Sequence, residues 1–238
     1  MGNSPSQPGV SLPERSSPSV NYFSRCRQYL DTKLTETIKE KWAEQGKEKI
    51  RLNRLLLKLP RLYEGLGHAV RVFHELDGTG EIGLEQLRTG AARLGYEVDP
   101  QLLESAFVST DVDRSSTINV DEFIVVLAIL HLLQGPSPDG DRTTTEAFDF
   151  ITRAFLSFDS SREGFVSRDE LMEALLEPHL DSIPASPRAS PADSTFQPVA
   201  QQRFLELDQD GNGRISFPDF LACITHWVDE AGEEFSPQ

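Results

Sequence analysis

Apolar positions in this chain recur at helical spacing and are interrupted by short polar loops. Leu30, Leu34, Ile38 and Trp42 step by four with Lys and Glu between them. That spacing predicts an amphipathic helix over 22–58, weakened in its middle by Gly46 and ended by Pro60. Beyond it four stretches repeat one plan: "HELDGTGEIGLEQL", "STDVDRSSTINVDEF", "SFDSSREGFVSRDEL" and "ELDQDGNGRISFPDF". Each follows an apolar helical run with a polar loop of alternating oxygen-bearing residues, an aliphatic residue, then an acid or amide before Leu or Phe. The aliphatic markers Ile82 and Ile118 stand 36 residues apart, and Val166 and Ile215 stand 49 apart. Repeats of that length predict helix–loop–helix units that bury their apolar faces pairwise. Ile82 is expected to pair with Ile118 in a short two-stranded bridge.

Breaks in the pattern divide the chain. Residues 1–21 are rich in Ser and Pro and are expected to be disordered. A basic amphipathic helix covers 22–61, a first pair of units 62–133, a linker 134–145, a second pair 146–230 and a tail 231–238. The second pair carries a Pro/Ser/Asp-rich insertion, 177–198, which accounts for its extra length. Ser186-Pro187 and Ser190-Pro191 in that loop are candidate sites for a proline-directed kinase. The run "FIVVLAILHLL" at 123–133 is apolar on all sides, more than one lobe needs to bury. Its outer face needs a cover, and the N-terminal helix is the nearest candidate. His131 within this run reads as a buried or rim residue and not as a ligand.

Charge and composition narrow the function classes. The formal net charge is −15, which argues against a nucleic-acid partner. It is unevenly spread. Between Arg25 and Arg61 eleven Lys/Arg face five acids, whereas from Leu62 onward 11 Arg face 32 acids. A basic arm precedes an acidic body. No apolar run approaches the ~18 residues of a membrane span. Two cysteines, Cys26 and Cys223, give no disulfide framework and fit a reducing, cytoplasmic compartment. The start "MGNSPS" matches the N-myristoylation pattern at Gly2. With the basic helix 25–61 this suggests peripheral membrane contact, since one acyl chain needs a second signal. There is no Gly-rich phosphate loop, nucleophile elbow or usefully spaced Cys/His pair. Neither an enzyme nor a small-molecule substrate is expected.

The loops have the chemistry of a hard-cation cage. Ca2+ takes six to eight oxygens, which one short loop supplies only if alternate residues point inward, the middle turns sharply and a carboxylate closes the far side. Residues 65–230 resemble the EF-hand superfamily, with four units as in calmodulin. The resemblance implies an all-α fold of four EF-hand units in two lobes with short two-stranded loop bridges. It places Ca2+ ligands residue by residue. The fourth loop matches at Asp208, Asp210, Asn212, Arg214 (carbonyl), Ser216 and Asp219, with Gly213 at the turn. The third matches at Asp159, Ser161, Glu163, Phe165 (carbonyl), Ser167 and Glu170, with Gly164. The second matches at Asp111, Asp113, Ser115, Thr117 (carbonyl), Asn119 and Glu122. Ser116 replaces its glycine and must take a positive φ at a cost of about 1 kcal/mol.

The first loop departs from the pattern. Glu75, Asp77 and Thr79 precede Gly80, but Gln86 stands at the closing position, where a neutral amide cannot be the bidentate anion. It reads as a structural hand without metal. Asp219 is one methylene shorter than the usual Glu. It is expected to weaken Ca2+ and to let Mg2+, which prefers six-coordination, occupy the fourth loop at rest. "NRLLLKLPRL", "FIVVLAILHLL" and "ITHWVDE" further resemble plant and green-algal calmodulin-like proteins. That resemblance implies a non-catalytic calcium sensor regulating a target protein or amphipathic helix. A calcium buffer and a constitutive regulatory subunit, of a phosphatase for example, remain alternatives. With two methionines, Met1 and Met172, the chain lacks calmodulin's adaptable contacts, and a narrow partner set is expected.

Overall fold

The computed structural model describes residues 20–44, 50–76, 78–111, 114–135, 141–176, 204–208 and 211–235. Gly2, Gly46, Asp77, Asp113, Ser186, Ser190 and Asp210 lie outside these residues.

Helix α1 is Val20–Glu44, α2 is Leu52–Leu56 and α3 is Leu59–Leu76. The single helix read over 22–58, and the arm boundary at 61, are therefore corrected. Pro60 starts a helix and does not end one: it sits in the first turn of α3, where its missing N–H has no intrahelical acceptor to lose. The first pair accordingly begins at Leu59. It continues with α4 (Leu84–Arg93), α5 (Pro100–Thr110) and α6 (Val120–Gln134). Asp99 caps α5 by accepting the Leu102 N–H with Pro100 behind it, and Asn119 and Glu122 form a reciprocal capping box on α6. Helix α6 ends at Gly135, whose φ of 82° a glycine adopts freely.

The second pair begins at α7 (Arg142–Phe158), capped by Asp141, so the segment between the pairs is shorter than the 134–145 read from composition. Strand β1 (Val166–Ser167) leads into α8 (Arg168–Leu176), and β2 (Arg214–Ile215) precedes α9 (Phe217–Phe235). The tail assigned to 231–238 is helical as far as Phe235. Val166 pairs antiparallel with Ile215, and Ile82 exchanges two 2.9 Å hydrogen bonds with Ile118. Each pair of units thus has its bridge.

The two pairs share one core. Helix α3 packs on α7 and α9, and α6 packs on α9 and α7. Close approach is built in at Gly65 of α3, where a Cβ would stand 2.9 Å from the Ala147 Cβ and 3.0 Å from the Thr143 carbonyl oxygen. The Thr144 hydroxyl donates to the Gly65 carbonyl at 2.8 Å. Every residue of α6 from Phe123 to Leu132 is buried. The sequence assigns its surplus apolar surface to the N-terminal helix, yet α1 covers only part of it. The second lobe covers the rest.

Helix α1 lies along α5 and α6, with Leu30, Leu34 and Ile38 buried and Trp42 half-buried. His131 is buried where α6 meets α7. Its Nε2 lies 2.9 Å from Asp149 Oδ1 and its Nδ1 3.2 Å from the Tyr96 hydroxyl. A proton on Nε2 satisfies all three groups. Burial holds the His131 pKa below its ordinary value, although the Asp149 carboxylate pulls the other way and Lys41 of α1 adds to the lowering. The unfolded chain therefore binds the extra proton first, and stability falls as pH drops below the ordinary histidine value of ~6.5. The stability advantage of wild type over His131→Gln is expected to shrink between pH 7.5 and 5.5, as read from urea midpoints. A pH-independent difference would count against this.

Candidate metal centre

Loop 3 shows how the local sequence builds a cage. Asp159, the C-cap of α7, is fully buried at 0% exposure. Its Oδ1 accepts the Glu163 N–H and its Oδ2 the Gly164 N–H, both at 3.0 Å. These bonds turn the chain through Arg162 (φ 64°) and Gly164 (φ 93°). From the start of α8, Glu170 reaches back across the loop. Its Oε2 accepts from the Ser167 N–H and hydroxyl at 2.8 Å, and its Oε1 accepts from the Ser161 N–H at 2.6 Å. Burial raises the Asp159 pKa, partly offset by the two N–H donors. Burial also acts upward on Glu170, but the hydrogen bonds from Ser167 and Ser161 win and hold it below the usual range. Two carboxylates, one of them wholly withdrawn from water, thus face each other across a loop 12 residues long. A cation between them offsets the desolvation.

Loop 4 repeats the geometry. Asp208 Oδ2 accepts the Gly213 N–H at 3.0 Å, and Asp219 Oδ2 accepts the Ser216 N–H at 2.9 Å and its hydroxyl at 2.5 Å. Gly211 and Gly213 both have positive φ. Asp208 Oδ1 is buried and has no hydrogen-bond partner among the described residues. In loop 2, Asp111 accepts the Ser115 and Ser116 N–H groups at 2.9 and 3.0 Å. Ser116 has φ 64°, so the strain its sequence position demands is present. Ser115 donates to the Thr117 carbonyl at 3.1 Å, and Glu122 Oε2 caps the Asn119 N–H at 2.9 Å.

The first loop is closed by an amide. Gln86 Oε1 accepts the Gly83 N–H at 2.9 Å, as an acid in its place would. Its Nε2, however, donates to the Leu76 carbonyl at 2.9 Å, so a donor stands where an anionic oxygen would be needed. Glu75 is held by Arg93 at 3.0 Å. Among the described residues, which leave out Asp113 and Asp210, no three acids, histidines or cysteines converge.

What the sequence does not announce is the position of α1 on these loops. The Arg162 guanidinium lies 4.7 Å from the Trp42 ring centroid, and Arg114 lies 5.1 Å from that of Phe23. Both arginines occupy the fourth position of their loops. Thr35 of α1 abuts Gly164, 3.1 Å from where a Cβ would be. Tyr22 donates to Glu104 of α5. The only sequence signal for this was the aromatic residue near each end of the helix.

Helix–loop–helix units paired through antiparallel loop bridges define the EF-hand fold. Residues 148–225 match the EF-hand domain pair family. Most of the chain is similar to plant calmodulin-like proteins. It is 28% identical over 208 residues to the probable calcium-binding protein CML21 of Arabidopsis thaliana, with 84% of each chain covered. It is 26% identical over 196 residues to the probable calcium-binding protein CML22 of the same plant, covering 77% of this chain and 81% of that one. Calcium-dependent protein kinase 2 of Zea mays is 28% identical over 150 residues, 63% of this chain and 24% of the kinase. That likeness lies in the kinase's EF-hand portion.

Proposed function

We propose that the chain is a Ca2+ sensor whose ion sites are loops 2, 3 and 4 and whose helix α1 carries the signal to a target protein. The observation that carries this reading is the buried Asp208 Oδ1, without a hydrogen-bond partner among the described residues, in a carboxylate whose other oxygen already shapes the loop. A buried anionic oxygen left bare is costly, and a cation is the partner the loop geometry provides. The ligands proposed are Asp208, Asp210, Asn212, the Arg214 carbonyl, Ser216 and Asp219; Asp159, Ser161, Glu163, the Phe165 carbonyl, Ser167 and Glu170; and, more weakly for the strain at Ser116, Asp111, Asp113, Ser115, the Thr117 carbonyl, Asn119 and Glu122. The ion would supply a positive centre drawing each closing acid toward its loop. The chain's own residues supply the frame, and α1, resting on loops 2 and 3, registers the change.

Calorimetric titration tests this. At most three Ca2+ ions are expected, with Kd roughly 10⁻⁷–10⁻⁵ M, the sensor range. Four comparable sites would overturn the reading of the first loop, and none would overturn the whole. Affinity purification in Ca2+ and in chelator tests the partner, which should be retained differently in the two.

Mg2+ at rest in loop 4 belongs to the same proposal. Asp219 spends one oxygen on both Ser216 donors, and its short stem leaves the other little reach. Asp219→Glu is expected to tighten Ca2+ at loop 4 and to reduce competition by Mg2+, read as the Ca2+/Mg2+ affinity ratio. An unchanged ratio would mean that Asp219 is not the closing ligand. Cys26 and Cys223 are not joined in a disulfide, which supports a cytoplasmic site of action.

A further inference from the structure

We propose that the tip formed by α2 and the first turns of α3 docks on an anionic lipid surface. This stands apart from the calcium reading and does not depend on it.

Among the described residues four large apolar side chains are exposed, and three of them gather here: Leu57 at 81%, Leu56 at 38% and Tyr63 at 45%. They are held outward by their neighbours. Hydrogen bonds from Lys58 N to Leu55 O and from Arg61 and Leu62 N to Lys58 O keep the chain nearly helical across the α2–α3 junction. Leu55, Leu59, Leu62 and Leu66, at steps of three and four, then fill the buried side and anchor the segment to the core. The opposite side has no such role, yet it bears leucine where a soluble surface would place Lys or Glu.

Charge says what kind of surface suits this tip. Residues 50–63 contain four cations, Arg51, Arg54, Lys58 and Arg61, and no acid. Most of the arm's positive excess is here and not on α1, where five Lys/Arg between 25 and 44 meet four acids. The rest of the molecule is strongly acidic. This segment, unlike the acidic body, is attracted to an anionic leaflet, most of all through Lys58 and Arg61, since Arg51 shares a pocket with Glu170 and Glu173. The tip also projects: a leucine 81% exposed lines no groove, so a partner helix would find no walls to seat against. Leucines that enter the headgroup region, a tyrosine at the interface and Lys/Arg snorkelling to phosphates are the elements of interfacial binding. An acidic protein patch shares the charge complementarity but gives the protruding leucines nowhere to go.

The full chain without N-terminal acylation tests this by co-sedimentation with phosphatidylcholine vesicles and with mixed phosphatidylcholine–phosphatidylserine vesicles. Each is measured in Ca2+ and in chelator. Retention is expected on the phosphatidylserine vesicles alone, weakening as salt rises. Leu57→Asp, and separately Lys58→Glu with Arg61→Glu, are each expected to reduce the partition about tenfold or more, at unchanged helical circular dichroism. Retention only in chelator, or only in Ca2+, with the same sensitivity to Leu57→Asp, supports the tip and adds a switch to it. Equal retention of wild type and Leu57→Asp overturns the proposal. Absence of retention also overturns it and leaves an acidic protein as the occupant. Neither result bears on the ion count.

Discussion

Glu170→Gln is expected to remove one Ca2+ from the titration and to weaken loop 3 by at least ~100-fold, about 2.7 kcal/mol. The reason is visible within the chain. Glu170 closes its loop with both oxygens, one on Ser167 and the other on the Ser161 N–H. Gln86 occupies the same position in the first loop and shows what an amide does there. It keeps the acceptor contact to the loop N–H and turns its Nε2 onto a backbone carbonyl. In loop 3 an amide nitrogen would meet the Ser161 N–H, donor against donor, and would have to swing away. Asp159, fully buried, and Glu163 would then be the anions left to the ion. Loops 2 and 4 should keep their ions, because their cages are built from their own residues. The Val166–Ile215 bridge transmits part of the loss to loop 4 as a smaller drop in affinity. A variant that still binds the full complement would show that Glu170 serves the loop's fold and not its ion.

The hands were legible in the sequence because their information is local. Alternating oxygens, a glycine at the turn and an aliphatic at the bridge lie within a dozen residues, and the backbone of each loop follows from them. Ser116 is an instance: its position alone requires a positive φ, and it has one. The departure of the first loop was equally readable, since a single residue, Gln86, puts an amide at its closing position and turns its Nε2 onto the Leu76 carbonyl. What pattern could not give was the pairing of faces. An all-round apolar α6 announces that something covers it without saying what, and the cover proved to be shared between α1 and the second lobe. Pro60 had two physical readings, a stop or a first turn. Propensity does not separate them, whereas burial of Leu59 and Leu62 on one side does. The contact of α1 with loops 2 and 3 depends on the register of a helix distant in sequence from both, and no periodicity encodes it.

That contact leads to the other large effect. With Trp227→Phe leaving one indole, saturating Ca2+ is expected to change the emission of Trp42, and Glu170→Gln is expected to abolish the change while loops 2 and 4 still fill. Trp42 sits against loop 3 itself, under the guanidinium of Arg162, and its indole Nε1 is buried without a hydrogen-bond partner among the described residues. An ion that draws Glu170 inward tightens the turn carrying Arg162 and Gly164, and Thr35 touches that turn about two helical turns from Trp42 on the same face. The docking of α1 rests on Leu30, Leu34 and Ile38, each of which contributes about 1.5–3 kcal/mol by leaving water. Ile38→Asp would bury a bare carboxylate at that seam, at a cost of several kcal/mol. Releasing the helix costs less, so α1 is expected to detach. Trp42 should then emit as a solvent-exposed indole with or without Ca2+, while the ion count from calorimetry remains at the parent value. If instead the Ca2+-dependent change survives Glu170→Gln, α1 reads a loop other than the third. If it is absent from the parent, α1 is a fixed brace and the signal must leave the molecule by another face.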